Sequence, residues 1–162
     1  MEQNVFMRPL LQTDAGFLCS IFQDNEEYYH IFYDSANSIA EWENRVTQFL
    51  SQNVVKHFII EAEGIPVGWL SYSVLSPDAW ELDILVLKQE FLHRGYGSAA
   101  LSWLIHQYTG ASAESITLNV NKENARAIRF YERFGFRIVE EQIIPECNDA
   151  VNLIQYKMIR EI

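Results

Sequence analysis

The most constraining stretch of the sequence is Leu85–Ala100, where an apolar run typical of a strand passes through a short charged turn into Arg94-Gly95-Tyr96-Gly97-Ser98-Ala99 and a helical pattern. Gly95 and Gly97 lack Cβ atoms where the helix begins, so several backbone N–H groups can face one concave spot. A helix N-terminus carries about half a positive charge, and Arg94 adds a full one. The stretch predicts a turn that binds phosphate or pyrophosphate, although a glycine pair alone also fits an ordinary tight turn.

The composition bounds the size and the class of the protein. The chain has 162 residues, of which 49% are hydrophobic, enough for one well-buried domain and too short for two ordinary ones. No apolar run approaches the roughly 20 residues of a membrane span, and the first ten residues lack the layout of a signal peptide. We therefore expect a single soluble, cytoplasmic domain over residues 1–162, with no membrane partner.

The two cysteines, Cys19 and Cys147, lie far apart in the sequence. There is no C-x-x-C pair and no His at a spacing typical of metal ligands, so neither a disulfide framework nor a metal site is indicated. We expect both to be reduced, buried thiols.

Charge is unevenly distributed along the chain. Residues 1–90 contain 14 acidic and 4 basic side chains, whereas residues 91–162 contain 8 of each. The acidic part would repel nucleic acid and suit a cationic partner. Basic residues of the second part are expected to cluster around the phosphate site, namely Arg94, Lys122, Arg126, Arg129, Arg133 and Arg137.

The hydrophobic periodicity predicts a mixed α/β sheet with the element order strand, two helices, three strands, helix, strand, helix and two strands. Ser38 and Glu41 form a capping box that predicts the start of the second helix. Asn121 is expected to cap the last helix, Lys122–Phe134, and Gly135 is expected to end it in the left-handed conformation.

A predicted strand over Trp80–Leu87 carries two carboxylates. Alternation along a strand places Glu81 and Asp83 on one face, together with Leu85 and Leu87. The pair lies shortly before the glycine turn, which predicts that both carboxylates lie near a ligand anchored there by its phosphates.

Two segments of the sequence match motifs of one known family. Arg94-Gly95-Tyr96-Gly97-Ser98-Ala99 fits R-x-x-G-x-A, and Asn124–Phe136 fits N-x-x-A-x-x-x-Y-x-x-x-G-F. The first resembles the pyrophosphate loop, and the second a helix motif, of the GNAT superfamily of acetyl-CoA-dependent N-acetyltransferases. The resemblance implies a GNAT-like fold over nearly the whole chain: a mixed, mostly antiparallel sheet of about seven strands flanked by about four helices.

The resemblance also implies a binding site for acetyl-CoA. Backbone amides of the glycine turn would hold the pyrophosphate, the strand before it would pair with the pantetheine arm, and Asn124 would bind the pantetheine region. Arg133 would reach the coenzyme phosphates. The cofactor-binding residues that it implies are Leu85, Val86, Leu87, Arg94, Gly95, Tyr96, Gly97, Ser98, Ala99, Asn124 and Arg133.

Acetyl transfer to an amine needs a neutral nucleophile, a donor that polarises the thioester carbonyl, and a proton for the leaving thiolate. By resemblance, Tyr131 would stand near the sulfur as the general acid. Glu81 or Asp83, or a water that one of them orders, would take a proton from the charged amine. We favour Glu81, and both carboxylates equally fit a role in binding a cationic substrate without moving protons.

The expected acceptor is a primary amine of a cationic small molecule or peptide, which attacks the thioester directly in a ternary complex. Relatives act on small molecules, polyamines and protein N-termini, so the acceptor's identity stays open. In the family that the sequence resembles, homodimers that form through the final strands are usual, so a homodimer is a further expectation.

Two other functions remain to be weighed. Gly95–Ala100 also fits the G-x-G-x-x-A of dinucleotide folds, but seven residues separate Leu87 from Gly95, and Asn119 and Asn121 stand where an acid should read the ribose. A non-catalytic acetyl-CoA-binding regulatory module would keep the binding site without acetyl transfer. A serine hydrolase is not indicated, because the sequence has no G-x-S-x-G.

Overall fold

The computed structural model describes residues 4–24, 38–145 and 152–162. Within these ranges the backbone forms seven strands and four α-helices in the predicted order. The strands are β1 (Val5–Pro9), β2 (Val55–Ala62), β3 (Ile65–Ser76), β4 (Ala79–Leu87), β5 (Ser115–Asn121), β6 (Arg137–Pro145) and β7 (Asn152–Glu161). The helices are α1 (Ala15–Asp24), α2 (Ile39–Leu50), α3 (Tyr96–Gly110) and α4 (Ala125–Arg133).

The strands form one sheet in the order β1-β2-β3-β4-β5-β7-β6. The pairs β1–β2, β2–β3, β5–β7 and β6–β7 are antiparallel, and β4 pairs with β5 in parallel. A parallel pair needs a long crossover, and α3 lies in the connection from β4 to β5. The predicted fold class, a mixed and mostly antiparallel sheet with helices, is confirmed.

The chain forms two compact units. Unit 1 comprises Met1–Ser73 and Ile84–His106, and unit 2 comprises Val74–Asp83 and Gln107–Ile162. None of the helices in the described ranges is long and apolar enough to cross a bilayer.

In unit 1, helices bury both faces of the β2–β3 hairpin. On one face, Trp42 of α2 and Leu18 of α1 belong to a core cluster that includes Ile59 and Trp69 of the hairpin. On the other face, Phe58 contacts Trp103 of α3, with ring centroids 4.8 Å apart. The alternation of side chains along β2 therefore supplies two separate apolar layers.

In unit 2, the core is built on β5 and β7. Tyr108, at the end of α3, is fully buried and packs against Trp80, with ring centroids 6.4 Å apart. Arg160 of β7 donates hydrogen bonds to the Tyr108 hydroxyl and, from Nε over 2.9 Å, to the carbonyl of Phe134. This arginine thus ties β7 to the ends of two helices.

Two of the predicted helix boundaries are confirmed and one is wrong. The Ser38 hydroxyl accepts a hydrogen bond from the Glu41 N–H at 3.2 Å, and Gly135 follows α4 with φ 89°. Asn121 is not the cap of α4, because β5 runs through Asn121 and the helix begins only at Ala125.

Candidate active site

The two carboxylates lie on the same face of β4, in unit 2. Trp80 and Leu82 are buried, whereas Glu81 between them is half-buried and Asp83 is exposed. Glu81 lies opposite Thr117 in the parallel ladder with β5. The predicted alternation is confirmed, and of the two acids Glu81 lies in the less hydrated surroundings.

The end of β4 extends past its ladder with β5. The ladder pairs Ala79–Leu82 with Ser115–Leu118, and residues 85–87 follow in unit 1. The Val86 side chain is buried in the core cluster under α1 and α2. The next residue, Lys88, donates its N–H to the Val67 carbonyl at 2.9 Å, which holds the end of β4 against β3.

The glycine turn has two residues in the left-handed conformation. His93 has φ 63° and Gly95 has φ 84°, with the exposed Arg94 between them. Glycine adopts this conformation without a steric cost, which accounts for Gly95. The left-handed His93 was not expected from the sequence, because a residue with a Cβ seldom adopts it and no local pattern signals it.

Helix α3 begins directly after this turn. The N–H of Ala99 donates to the Gly95 carbonyl at 3.0 Å, the first bond of the helical series. The N–H groups of Tyr96, Gly97 and Ser98 come before this first helical hydrogen bond. They point out of the N-terminus of the helix, where the helix dipole is positive. The Arg94 guanidinium lies 5.6 Å from the centroid of the Phe91 ring. These donors and charges fit a pyrophosphate.

The short 3-10 helix Gln89–Phe91, which precedes the glycine turn, contacts the end of α1. Gln89 donates its N–H to the Asp24 carboxylate at 3.4 Å and its side-chain amide to the Asp24 carbonyl at 3.3 Å. Asp24 opens the acidic and aromatic segment 24–34 of the sequence. Residues 25–34, like Cys147, lie outside the described residues. Cys19 is buried in the core cluster of unit 1.

Asn124 is the N-cap of α4. Its side-chain oxygen accepts a hydrogen bond from the Ala127 N–H at 3.2 Å. The predicted cap, Asn121, instead accepts from the Glu123 N–H at 3.0 Å and shapes the turn before the helix. With its oxygen engaged in the cap, the Asn124 side chain keeps its NH₂ group as a hydrogen-bond donor.

Tyr131 lies two helical turns after Asn124, so both side chains project from the same side of α4, about 10 Å apart along the axis. The Tyr131 ring is half-buried between Phe130 and Phe136, at centroid distances of 5.3 and 5.8 Å. Burial raises the pKa of Tyr131 to about 12. The phenol therefore stays protonated at neutral pH and can donate a hydrogen bond.

Arg133 is not brought to the side of α4 that Asn124 and Tyr131 share. Two residues correspond to about 200° around a helix, so Arg133 projects from the opposite side to Tyr131. It is exposed, and its guanidinium lies 5.9 Å from the centroid of the Phe130 ring.

Two of the six basic residues that were expected to cluster around the phosphate site form ion pairs with carboxylates of unit 2. Lys122 forms an ion pair with Glu141 at 2.7 Å, which raises the pKa of the lysine. Arg137 forms one with Glu161 at 3.2 Å. Both pairs are exposed and sequence spacing did not reveal them, because they form between residues on different elements of unit 2.

In the part of the chain that the structure describes, no group of His, Cys, Asp or Glu residues is arranged to hold a metal ion. The chemistry that the described side chains and amides offer is thus anion binding at the start of α3, hydrogen-bond donation by Asn124 and Tyr131, and two carboxylates on β4.

Comparison with known proteins identifies a family. The acetyltransferase (GNAT) family profile matches residues 17–136. The chain is 29% identical over 151 residues to the uncharacterized N-acetyltransferase YafP of Escherichia coli strain K12, a match that covers 91% of this chain and 90% of that protein. It is 30% identical over 132 residues to the spore coat polysaccharide biosynthesis protein SpsD of Bacillus subtilis strain 168, covering 76% of this chain and 44% of SpsD. The chain thus spans less than half of the length of SpsD.

Solved structures share the fold. Spermidine N-acetyltransferase from Vibrio cholerae, solved in complex with CoA and spermine, superposes with a TM-score of 0.81, covering 97% of this chain and 95% of that chain. The sequence identity is 18%, so this similarity concerns the fold and leaves the substrate of this chain to its own residues.

Proposed function

The chain belongs to the acetyltransferase (GNAT) family, and from that premise we propose that it transfers an acetyl group from acetyl-CoA to a primary amine of a cationic small molecule or peptide, over residues 1–162 acting as one domain. The observation that carries the proposal is the glycine turn, in which left-handed His93 and Gly95 flank Arg94 and the start of α3 follows at once. A turn of this kind suits the pyrophosphate of coenzyme A.

The start of α3 would hold the coenzyme at its pyrophosphate. The N–H groups of Tyr96, Gly97 and Ser98 would donate to phosphate oxygens, and Arg94 would add a charge-assisted hydrogen bond. Gly95 and Ala99 frame the turn without bulky side chains. Arg133, which is exposed on α4, would contribute by longer-range attraction to the coenzyme phosphates.

The pantetheine arm would be held by backbone and amide groups. The N–H and C=O groups of Leu85, Val86 and Leu87 follow the stretch of β4 that pairs with β5, and an extended arm would bind to them as an added strand does. The Asn124 NH₂ group would donate to a pantetheine carbonyl while its oxygen keeps the helix cap.

In the reaction, the amine nitrogen would attack the thioester carbon, so that a C–N bond forms and the C–S bond breaks with its electron pair on sulfur. A backbone N–H at the end of β4 would stabilise the oxyanion. Tyr131 would donate a hydrogen bond to the leaving sulfur. A phenol of pKa about 12 is a weaker acid than a thiol, whose reference pKa is about 8.5, so this bond would strengthen as charge develops rather than release the proton beforehand.

The proton that the amine must lose would pass to a carboxylate of β4 or to a water that it orders. We favour Glu81, which is half-buried and lies opposite Thr117 in the ladder with β5, over the exposed Asp83. Asp83 would then serve mainly to attract the cationic acceptor.

A cationic acceptor suits the charge of the chain. Residues 1–90 contain 14 acidic and 4 basic side chains, and an excess of one sign raises the local concentration of ligands of the other. The Vibrio cholerae enzyme was solved with spermine, a polyamine, which is an acceptor of the class that this charge distribution favours.

The function is tested by measuring thiol release from acetyl-CoA with a panel of amines and by identifying acetylated products by mass spectrometry. We expect turnover with polyamines, aminoglycosides or basic peptides, and little with anionic amines. Turnover confined to neutral or anionic acceptors would refute the cationic preference. Tight binding of coenzyme A with no acetyl transfer to any amine would instead favour a non-catalytic binding module.

A further inference from the structure

The backbone of β4 lies so close to Gly68 of β3 that position 68 has no room for a side chain. A Cβ at this position would lie 2.5 Å from the Val86 carbonyl oxygen, 2.6 Å from Leu87 Cδ2 and 3.0 Å from Ile60 Cδ1. The last two atoms are the ends of flexible side chains and can turn away. The Val86 oxygen belongs to the backbone, so any larger residue at position 68 must displace the peptide itself.

The Val86 carbonyl oxygen lies closer to β3 than a residue with a side chain would allow. A distance of 2.5 Å to a Cβ is one that real Cβ atoms essentially never show. The Lys88 N–H donates to the Val67 carbonyl at 2.9 Å, so this part of β4 lies against β3. In an extended strand the C=O of one residue and the N–H of the second residue after it point to the same edge, so the Val86 C=O also points toward β3.

The direction of the Val86 carbonyl fixes a second direction as well. A trans peptide is planar, and its C=O and N–H point in opposite directions; no cis peptide bond occurs in the described residues. Because the Val86 C=O points toward β3 and Gly68, the Leu87 N–H of the same peptide is directed away from Gly68 and from β3. The space that Gly68 leaves open therefore sets the direction of a backbone donor at the end of β4.

We propose that Gly68 is a positioning residue for acetyl transfer, which acts by holding the Val86–Leu87 peptide in the orientation that receives the thioester end of acetyl-CoA. This inference rests on the proposed function, in which backbone groups of residues 85–87 bind the pantetheine arm and polarise the thioester. Gly68 itself touches neither substrate in this account.

The test compares Gly68→Ala with Gly16→Ala, a control in α1 where an added Cβ meets nothing within 4 Å. For each folded variant, kcat and the KM values for acetyl-CoA and for the amine are measured well below the melting temperature. We expect Gly68→Ala to raise the KM for acetyl-CoA or to lower kcat by about 10-fold or more, which corresponds to about 1.4 kcal/mol, with the KM for the amine within about twofold. A packing role alone would lower the melting temperature and leave these kinetic constants near wild type, and that result would overturn the proposal.

A measurement on the wild-type protein keeps the proposal testable if Gly68→Ala does not fold. Amide ¹H–¹⁵N shifts are followed as acetyl-CoA is added, and the Leu87 amide is expected to shift strongly. An unmoved Leu87 amide at saturating acetyl-CoA would overturn the positioning role even if the enzyme is active. A wild-type protein that transfers no acetyl group to any amine would overturn the proposed function, and this inference with it.

Discussion

His57 stacks on Phe49, with ring centroids 4.3 Å apart and ring planes 21° apart. Trp69 lies beside both rings, with its centroid 5.8 Å from that of His57 and 5.9 Å from that of Phe49. The Nδ1 atom of His57 is buried and has no hydrogen-bond partner within the described ranges. Burial against the two aromatic rings lowers the pKa of His57 to about 4, so the imidazole is neutral in the folded protein at physiological pH.

This neutral histidine predicts a loss of stability in acid. The unfolded chain binds a proton at a reference pKa of about 6.5 and the folded chain only near 4, so the unfolding free energy is highest above pH 6.5 and falls as the pH decreases toward 4. The histidine's share of the loss is at most about 3 kcal/mol.

The variant His57→Phe removes this share and should flatten the pH dependence between pH 7 and 4. The wild-type protein is the reference for this comparison. Urea unfolding at several pH values measures both. If the unfolding free energy depends on pH equally in His57→Phe and in the wild type, His57 does not titrate in this range.

Two glycines provide an opposed pair of stability predictions. Gly135 follows α4 at φ 89°, whereas Gly110 ends α3 at an ordinary φ with nothing within 4 Å of an added Cβ. We expect Gly135→Ala to cost about 1–2 kcal/mol because an L-residue is strained there, and Gly110→Ala to stabilise by about 0.5–1 kcal/mol. Thermal or urea unfolding measures the change in unfolding free energy for each variant. A change of the same sign in both variants would contradict the assignment of a left-handed cap at Gly135.

The sequence predicted the order of elements and the face of β4 that carries the carboxylates, because hydrophobic periodicity and alternation are local signals. It also predicted the cap at Ser38, where a serine and a glutamate stand three residues apart. The cap of α4 was predicted three residues too early, since Asn121 and Asn124 are both good caps and only the end of β5 decides between them.

The features that the sequence did not predict arise where distant segments of the chain come together in the fold. The ion pairs of Lys122 with Glu141 and of Arg137 with Glu161 join distant positions of the chain. The need for glycine at position 68 comes from a carbonyl on the neighbouring strand. The left-handed His93 has no local signature, so the shape of the glycine turn was predicted only in part.

Arg94 is expected to strengthen the binding of the coenzyme. Replacing it by Ala removes a charge-assisted hydrogen bond to phosphate of about 1.5 kcal/mol or more, so the KM for acetyl-CoA should rise about 10-fold while kcat changes little. Arg137→Ala is the control, because that guanidinium is paired with the exposed Glu161. Equal KM values for the two variants would contradict the role of Arg94.

The raised pKa of Tyr131 predicts the alkaline part of the pH–rate profile. With a pKa of about 12, the phenol stays protonated up to about pH 11, so its ionisation should not lower kcat between pH 7 and 10. Steady-state assays at saturating substrates measure this. A fall in kcat with an apparent pKa near 10, absent in Tyr131→Phe, would show that the phenol ionises in the usual range.

The central claim is that Tyr131 assists the departure of coenzyme A in an acetyl transfer. The direct measurement compares wild type, Tyr131→Phe and the control Tyr156→Phe by the rate of thiol release under saturating acetyl-CoA and amine, and by the Kd for coenzyme A. We predict that Tyr131→Phe lowers kcat by about 10² with a Kd within about twofold, and that Tyr156→Phe matches wild type. An unchanged kcat in Tyr131→Phe would contradict the account.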